Sequence, residues 1–322
     1  MDRIEWNEAQ MKILVYGSLN IDLVFSVDRI VRPGETIASF ALEKSAGGKG
    51  ANQAASLAKA GMLVYMAGKI GEDGRFLREL LESYGVNTEK TAVYPGATGQ
   101  AIIQLDRAGQ NSIILYAGGN GEILEDEIDG VLSSFGEGDA VLLQNEIPHV
   151  GAIMEKAKGR GMKVFLNPSP YNEKIAKLPL HLADLLFVNE IEAAALADKT
   201  GNTSKTGSPQ GAALPPDAAL PSPLPLILDR LTDAFPNTEI ILTAGKDGAY
   251  YGSGKIRERG EIVDLPVVDT TGAGDTFTGY YIAARERQIP VPEALRLACK
   301  AASIAVSRKG AMQSMPRKEE VF

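Results

Sequence analysis

The chain has 322 residues, 44% hydrophobic and 23% charged, with a net charge of −8; this is the balance of one large globular domain or two unequal ones, not of a disordered chain. No basic stripe marks a nucleic-acid partner, and the single cysteine, Cys299, excludes an intrachain disulfide or thiolate cluster and fits a reducing cytoplasm. No apolar run reaches the length of a membrane span, and the start Met1-Asp2-Arg3-Ile4-Glu5 lacks the apolar core of a signal peptide.

In chain order, residues 1–10 read as a polar extension before the first strand. The run Lys12 to Gly17 is continuous and apolar, as in a buried parallel strand. It ends in Ser18-Leu19-Asn20-Ile21-Asp22, and ligands of open α/β sheets bind at the carboxyl ends of strands. Arg32-Pro33-Gly34-Glu35 is a turn. Ser45-Ala46-Gly47-Gly48-Lys49-Gly50-Ala51-Asn52-Gln53 precedes an Ala- and Leu-rich helical stretch. Its glycines and the donors Lys49 and Asn52 suit a polyhydroxylated or anionic ligand, although a plain glycine-rich connection has the same composition.

From Leu63 to Tyr94 the pattern is strand, helix over about Asp73 to Tyr84, strand. Gly99 to Leu105 and Ser112 to Ala117 form a hairpin about residues 106–111. With extended pieces near Val24 and Ile37, it predicts a small separate sheet, a lid drawn from about 20–45 and 98–118. Helices and strands then alternate: strands at Ala140 to Gln144, Lys163 to Leu166 and Asp184 to Val188 end respectively in Asn145-Glu146, Asn167-Pro168 and Asn189-Glu190-Ile191-Glu192. That rhythm predicts a parallel sheet covered on both faces. Residues 200–225 carry six prolines and no amphipathic period, and read as a flexible surface insertion. A strand at Glu239 to Thr243 follows, then the turn Ala244-Gly245-Lys246-Asp247-Gly248 and a hairpin.

The most informative stretch is Asp269-Thr270-Thr271-Gly272-Ala273-Gly274-Asp275. It follows the apolar run Ile262 to Val268, expected as a strand, and opens a helix over Phe277 to Arg287. A glycine-bearing turn at a helix N-terminus is an anion site, because the first amides lack partners and the helix dipole is positive there. A carboxylate at Asp275 would repel a phosphate, so its presence needs its own justification, and taking a proton from an attacking hydroxyl is a good one. A Thr-capped helix with an acidic first turn is the plainer alternative. A last helix, Pro292 to Ser307, leads to Arg308-Lys309-Gly310-Ala311. His149 and His181 are far apart and form no metal pair.

P-loop, dinucleotide-fingerprint, GxSxG and protein-kinase motifs are all absent. The motifs present, Asn20-Ile21-Asp22, Gly47 to Ala54, Asn189 to Glu192, Thr243 to Gly248 and Asp269 to Asp275, together resemble the ribokinase-like sugar kinases, or PfkB carbohydrate kinases, in order from Lys12 to the C-terminus. The resemblance implies a three-layer α/β fold, with a mostly parallel sheet, helices on both faces and a β-sheet lid. It implies ATP-dependent phosphorylation of a sugar hydroxyl, D-ribose at its 5-hydroxyl in first place. A nucleoside, fructose or deoxyribose acceptor, or a non-catalytic sugar-binding regulator, are the alternatives.

Residue by residue, the resemblance makes Asp275 the base and gives the phosphoryl group to the amides of Gly272, Ala273 and Gly274. Asn20, Asp22, Gly48, Lys49, Gly50, Ala51, Asn52 and Glu146 would bind sugar. Asn189 and the turn Thr243, Ala244, Gly245, Lys246, Asp247 and Gly248 would contact ATP, with Cys299 near the base where relatives often carry His or Asn. Glu192 would organise Mg²⁺. Asp269, Thr271, Ala305, Arg308, Gly310 and Ser314 match the positions around an activating K⁺. A lid with an open edge also leads to the expectation of a homodimer through the lids.

Overall fold

In the computed structural model, which describes residues 11–200 and 223–322, the first apolar run lies inside a sheet buried on both faces. Lys12–Tyr16 (β1) sends Ile13 and Val15 into one core and Leu14 and Tyr16 into another, the alternation that a pleated strand imposes. Next come Asn20–Ser26 (β2), Ala41–Gly47 (β3), the helix Lys49–Lys59 (α1), Leu63–Ile70 (β4), the helix Arg75–Ser83 (α2) and Thr91–Val93 (β5). The hairpin is Gly99–Leu105 (β6) and Asn111–Tyr116 (β7).

The alternating middle runs Ile128–Leu132 (α3), Ala140–Gln144 (β8), Val150–Gly159 (α4), Lys163–Asn167 (β9), Leu185–Asn189 (β10) and Glu190–Thr200 (α5). After it come Leu224–Ala234 (α6), Glu239–Thr243 (β11), Ala249–Ser253 (β12) and Ile256–Gly260 (β13). Ala273–Glu286 (α7), Val291–Val306 (α8) and Lys318–Val321 (α9) complete the chain.

The main sheet has the order β13-β12-β11-β10-β9-β8-β1-β4-β5. From β11 to β5 every pairing is parallel, and only β12 and β13 are antiparallel. Helices α1, α2, α7 and α8 bury their apolar sides in the core on one face, and α3 to α6 in the core on the other. Parallel strands put their carboxyl ends at one edge. Gln144 therefore sits abreast of Asn167, and Asn189 abreast of Thr243. Over this edge stands the second sheet, ordered β3-β2-β6-β7, so the expected three-layer fold with a β lid is present. Among the described residues, no helix is long and apolar enough to cross a membrane.

Three expectations need correction. Ile262 to Val268 is not a strand. Its amides turn instead to α8, Val263 N–H donating to Ser303 Oγ at 3.0 Å and Val268 N–H to the Val306 carbonyl at 2.8 Å. An apolar composition favours strand only where a ladder partner exists. The lid strand expected near Ile37 lies later, at β3. The proline-rich segment, expected to end near 225, gives way at Leu224 to α6, whose proline falls in the first turn where its missing N–H costs no helix bond. The rest of that segment, and the expected extension 1–10, lie outside the described residues.

Candidate active site

Helix α7 starts from Gly272, whose φ of 74° is left-handed and strained for any residue with a Cβ. No side chain caps this end, so the Thr-capped alternative is not realised. Ala273 N–H donates to the Thr270 carbonyl at 3.2 Å, while the amides of Gly272 and Gly274 have no partner among the described residues. A methyl group on Gly274 would meet nothing within 4 Å, because that face opens on the cleft. The anion hole thus has Gly272 and Gly274 as its free donors, and Ala273 is already engaged.

Asp275 stands three residues after Gly272 and is 7% exposed. Its Oδ2 accepts from Asn52 Nδ2 at 3.0 Å and its Oδ1 from Gln53 Nε2 at 2.9 Å. Both donors lie on α1, which is tied to α7 by Ser56 Oγ donating to the Thr276 carbonyl at 3.0 Å. The carboxylate faces a cavity of about 240 Å³ lined by Lys49, Asn189, Glu192, Thr243 and the turn residues Gly272 to Asp275. The sugar-side residue Lys49 and the nucleotide-side residues Asn189, Glu192 and Thr243, far apart in sequence, meet there.

At the mouth of α1, Lys49 N–H donates to Glu146 Oε2 at 3.1 Å, and Ser18 Oγ donates to the same oxygen. Burial raises the Glu146 carboxyl above its usual range. Burial alone would depress the Lys49 ammonium, but the surrounding carboxylates of Asp275, Glu146 and Glu192 lift it above its ordinary value, so it remains a cation. Asp22 is pushed up to about 7, by burial first and by the Glu146 charge second. Asn20 Oδ1 accepts from Asn120 Nδ2 at 2.7 Å, and Asn120 Oδ1 accepts from Leu19 N–H at 2.9 Å. Gly50 and Ala51, expected at the sugar, face the end of β1 instead. Their amides donate to Ser18 Oγ at 3.3 Å and to the Ser18 carbonyl at 2.9 Å, and Ala51 is fully buried.

On the nucleotide side, Asn189 Oδ1 accepts from Glu192 N–H at 2.9 Å and Glu192 Oε2 accepts from Asn189 N–H at 3.0 Å, a reciprocal cap that turns Glu192 toward the cleft. A single, nearly buried carboxylate of this kind suits a water-mediated contact with Mg²⁺ carried by phosphates. Of Thr243 to Gly248 only Thr243 lines the cavity; Ala244 is 1% exposed, and residues 245–247 form a surface turn. Cys299, expected beside the nucleotide base, is 2% exposed in the core next to Gly260, and burial pushes its thiol up to about 11. Its side chain is a packed hydrophobe, not a ligand group, because it lies on the face of α8 that meets β13.

Behind the anion turn, Asp269 Oδ1 accepts from Thr271 N–H at 3.0 Å and Oδ2 from Gly310 N–H at 2.9 Å. Burial opposes ionisation of Asp269, yet these bonds and the charge of Lys309 hold its carboxyl below the usual range. The Arg308 side chain turns away to Glu320, at 2.5 Å, which leaves its carbonyl as the group it could offer. Ala305 and Ser314 are buried in the same region. Such an all-oxygen set fits a hard monovalent cation.

Sequence reasoning assigned no role to Ser18, Gln53, Asn120, Gln144 or Asn167. The signal was there in part, since Gln144 and Asn167 end apolar strands. The side-chain network among them depends on which way α1 faces, and a sequence does not state that.

Residues 10–318 match the pfkB family of carbohydrate kinases. A ribokinase of Haemophilus influenzae is 32% identical over 317 residues, which span 96% of this chain and 97% of that protein. Among solved structures, the ribokinase of Cryptococcus neoformans var. grubii in complex with ADP superposes with a TM-score of 0.82 at 34% identity, covering 98% of this chain and 99% of that one. The ribokinase of Arabidopsis thaliana complexed with ribose and ATP gives a TM-score of 0.78 at 30% identity, covering 97% of each chain.

Proposed function

The chain belongs to the pfkB family of carbohydrate kinases, and we propose that its reaction is transfer of the γ-phosphoryl group of ATP to the 5-hydroxyl of D-ribose. The observation that carries this reading is Asp275, a nearly buried carboxylate held by two amide donors beside the free amides of Gly272 and Gly274. The full-length likeness to ribokinases, one of them complexed with ribose and ATP, supports ribose as the acceptor.

Asp275 takes the proton of the 5-hydroxyl as that oxygen attacks the γ-phosphorus in line and ADP leaves. The amides of Gly272 and Gly274, at the positive end of α7, receive charge on the transferring oxygens. Lys49, kept protonated by its carboxylate neighbours, adds a fixed positive charge beside them. Mg²⁺, bound with the nucleotide and approached by Glu192, would neutralise charge on the phosphates, and K⁺ beside Asp269 would add to the field behind the turn. Asn20, Asp22, Asn52 and Glu146 pair with sugar hydroxyls; Asn52 Oδ1 is buried with no partner and can accept one. The lid closes over them and excludes water. The buried single cysteine accords with a cytoplasmic setting.

Following ADP release from MgATP across ribose, deoxyribose, fructose, fructose 6-phosphate and adenosine, with and without potassium, tests this reading. Ribose is expected to give the highest kcat/KM, raised by potassium. A preference for another acceptor would remove the ribose assignment and keep the kinase.

A pH effect follows from Asp22. Below about pH 7 the free protein holds a proton there. Hydroxyls that donate to the carboxylate favour its ionised form and lower its pKa in the complex, so sugar binding releases a proton. Affinity for ribose therefore weakens as pH falls below about 7, by up to about tenfold per unit. Calorimetric titrations in two buffers of different ionisation enthalpy should show proton release at pH 6.5 that Asp22→Asn abolishes. Equal heats in both buffers would contradict the assignment.

The lid supports a homodimer. Edge strand β7 exposes Ile113, Ile114, Leu115 and Tyr116 by 51–59%, on both of its faces; an unpaired apolar edge of this kind calls for a partner. Light scattering should give the mass of a dimer, reduced to a monomer by Ile114→Glu. A wild-type monomer at micromolar concentration would sink the assignment.

A further inference from the structure

Gln53 is fully buried, and three of its four side-chain hydrogen-bonding opportunities, both donors among them, are used. Its Nε2 donates to Asp275 Oδ1 at 2.9 Å and to Asn167 Oδ1 at 3.0 Å, and its Oε1 accepts from Gln144 Nε2 at 2.6 Å. Asn167 is fixed in turn, its Nδ2 donating to the Phe187 carbonyl at 3.0 Å. The chain of amides therefore runs from the carboxyl ends of β8 and β9, through α1, to the carboxylate on α7.

Its direction is set at the Asn167 end, where Nδ2 is committed to the Phe187 carbonyl and Oδ1 therefore faces Gln53. Because Asn167 presents an acceptor, Gln53 must turn its NH₂ toward Asn167 and Asp275, and Gln144, whose own Oε1 has no partner among the described residues, donates to Gln53 Oε1; the opposite rotamer would turn an oxygen on the carboxylate. A donor so fixed holds Oδ1 and aims the other oxygen toward the cleft, where Asn52 and the acceptor hydroxyl meet it.

We infer that Gln53 is a positioning residue for phosphoryl transfer, with Asn167 fixing the direction of its amide and Gln144 completing its hydrogen bonds, so that the central sheet sets the orientation of the general base. This rests on the reading of Asp275 as that base. It separates roles within one glycine-rich motif: Lys49 faces the cavity, Asn52 bonds the base and keeps a free Oδ1, and Gln53 joins the base to the sheet.

The test is kinetic. Gln53→Met keeps nearly the same volume and removes the donor. It is expected to lower kcat about 10- to 100-fold, the scale of a misaligned catalytic group, with KM for ribose and ATP within about twofold of wild type. In an Asp275→Asn background the same change should cost nothing further, since no base remains to be aimed. A residue that merely supports α1 would lower kcat equally in both backgrounds, and that result overturns the inference. So does a kcat within about twofold of wild type. Gln144→Met offers a route that leaves Gln53 in place and covers a misfolded first variant. It should lower kcat by a smaller factor than Gln53→Met, and the double variant should be no worse than Gln53→Met alone. An unaffected kcat in Gln144→Met, or multiplying losses, counts against the relay. Full activity in Asp275→Asn alone would instead remove the base assignment, a failure these measurements distinguish.

Discussion

Asp275→Asn is expected to lower kcat by at least about 10²-fold, the usual scale for losing a general base, with a much smaller change in KM for the sugar. The replacement has nearly the same shape but cannot take a proton. Its NH₂ group must also face one of the two donors that now bond the carboxylate, Asn52 Nδ2 or Gln53 Nε2. Steady-state kinetics with ribose and MgATP separates the outcomes. A fall in kcat with KM held is the mark of a group that acts in the transition state. Near-wild-type turnover would remove Asp275 from the role.

Gly50→Ala is expected to have the second largest effect, from a residue whose amide turns to Ser18 and which does not line the cavity. A methyl group there would lie 2.6 Å from Ser18 N and 2.7 and 2.8 Å from the carbonyl carbon and Cα of Gly17. These are backbone atoms and cannot swing aside, so α1 must lift from the end of β1. The shift breaks the bonds that seat the helix on Ser18 and carries Lys49, Asn52 and Gln53 away from Glu146 and Asp275. Overpacking of this kind costs about 1–3 kcal/mol of stability, and displacement of the site should lower kcat/KM for ribose by about 10²-fold. Thermal unfolding and kinetics read the two losses separately. A variant with wild-type melting temperature and kcat/KM would show that α1 tolerates the shift.

The sequence was most legible where one local rule decides the structure. Continuous apolar runs became β1, β8 and β11, and the alternation of strands with helices gave the parallel sheet. Polar residues at the ends of those runs marked the edge where Asn189, Thr243 and Asp275 meet, because parallel strands all finish on one side. Legibility failed where a distant partner decides. Ile262 to Val268 has the composition of a strand but bonds to α8. Gly50 and Ala51 share a motif with Lys49 and Asn52, yet the helical turn directs them at β1. Cys299, placed near the base by the resemblance alone, reads by itself as a small buried hydrophobe on a helix, and the face of α8 that meets β13 agrees with that. Gln53 lay in plain view, but its role depends on Gln144, Asn167 and Asp275, which only the fold brings to it.

The central claim is that this cleft moves a phosphoryl group to one sugar hydroxyl and to no other acceptor, water included. Phosphorus NMR of a reaction run with ribose and MgATP tests it most directly. The account predicts one sugar phosphate per ADP, with the phosphorus coupled to the two protons at carbon 5 and no build-up of inorganic phosphate. Phosphate on the anomeric oxygen, or ADP accompanied by inorganic phosphate without a sugar phosphate, would contradict it.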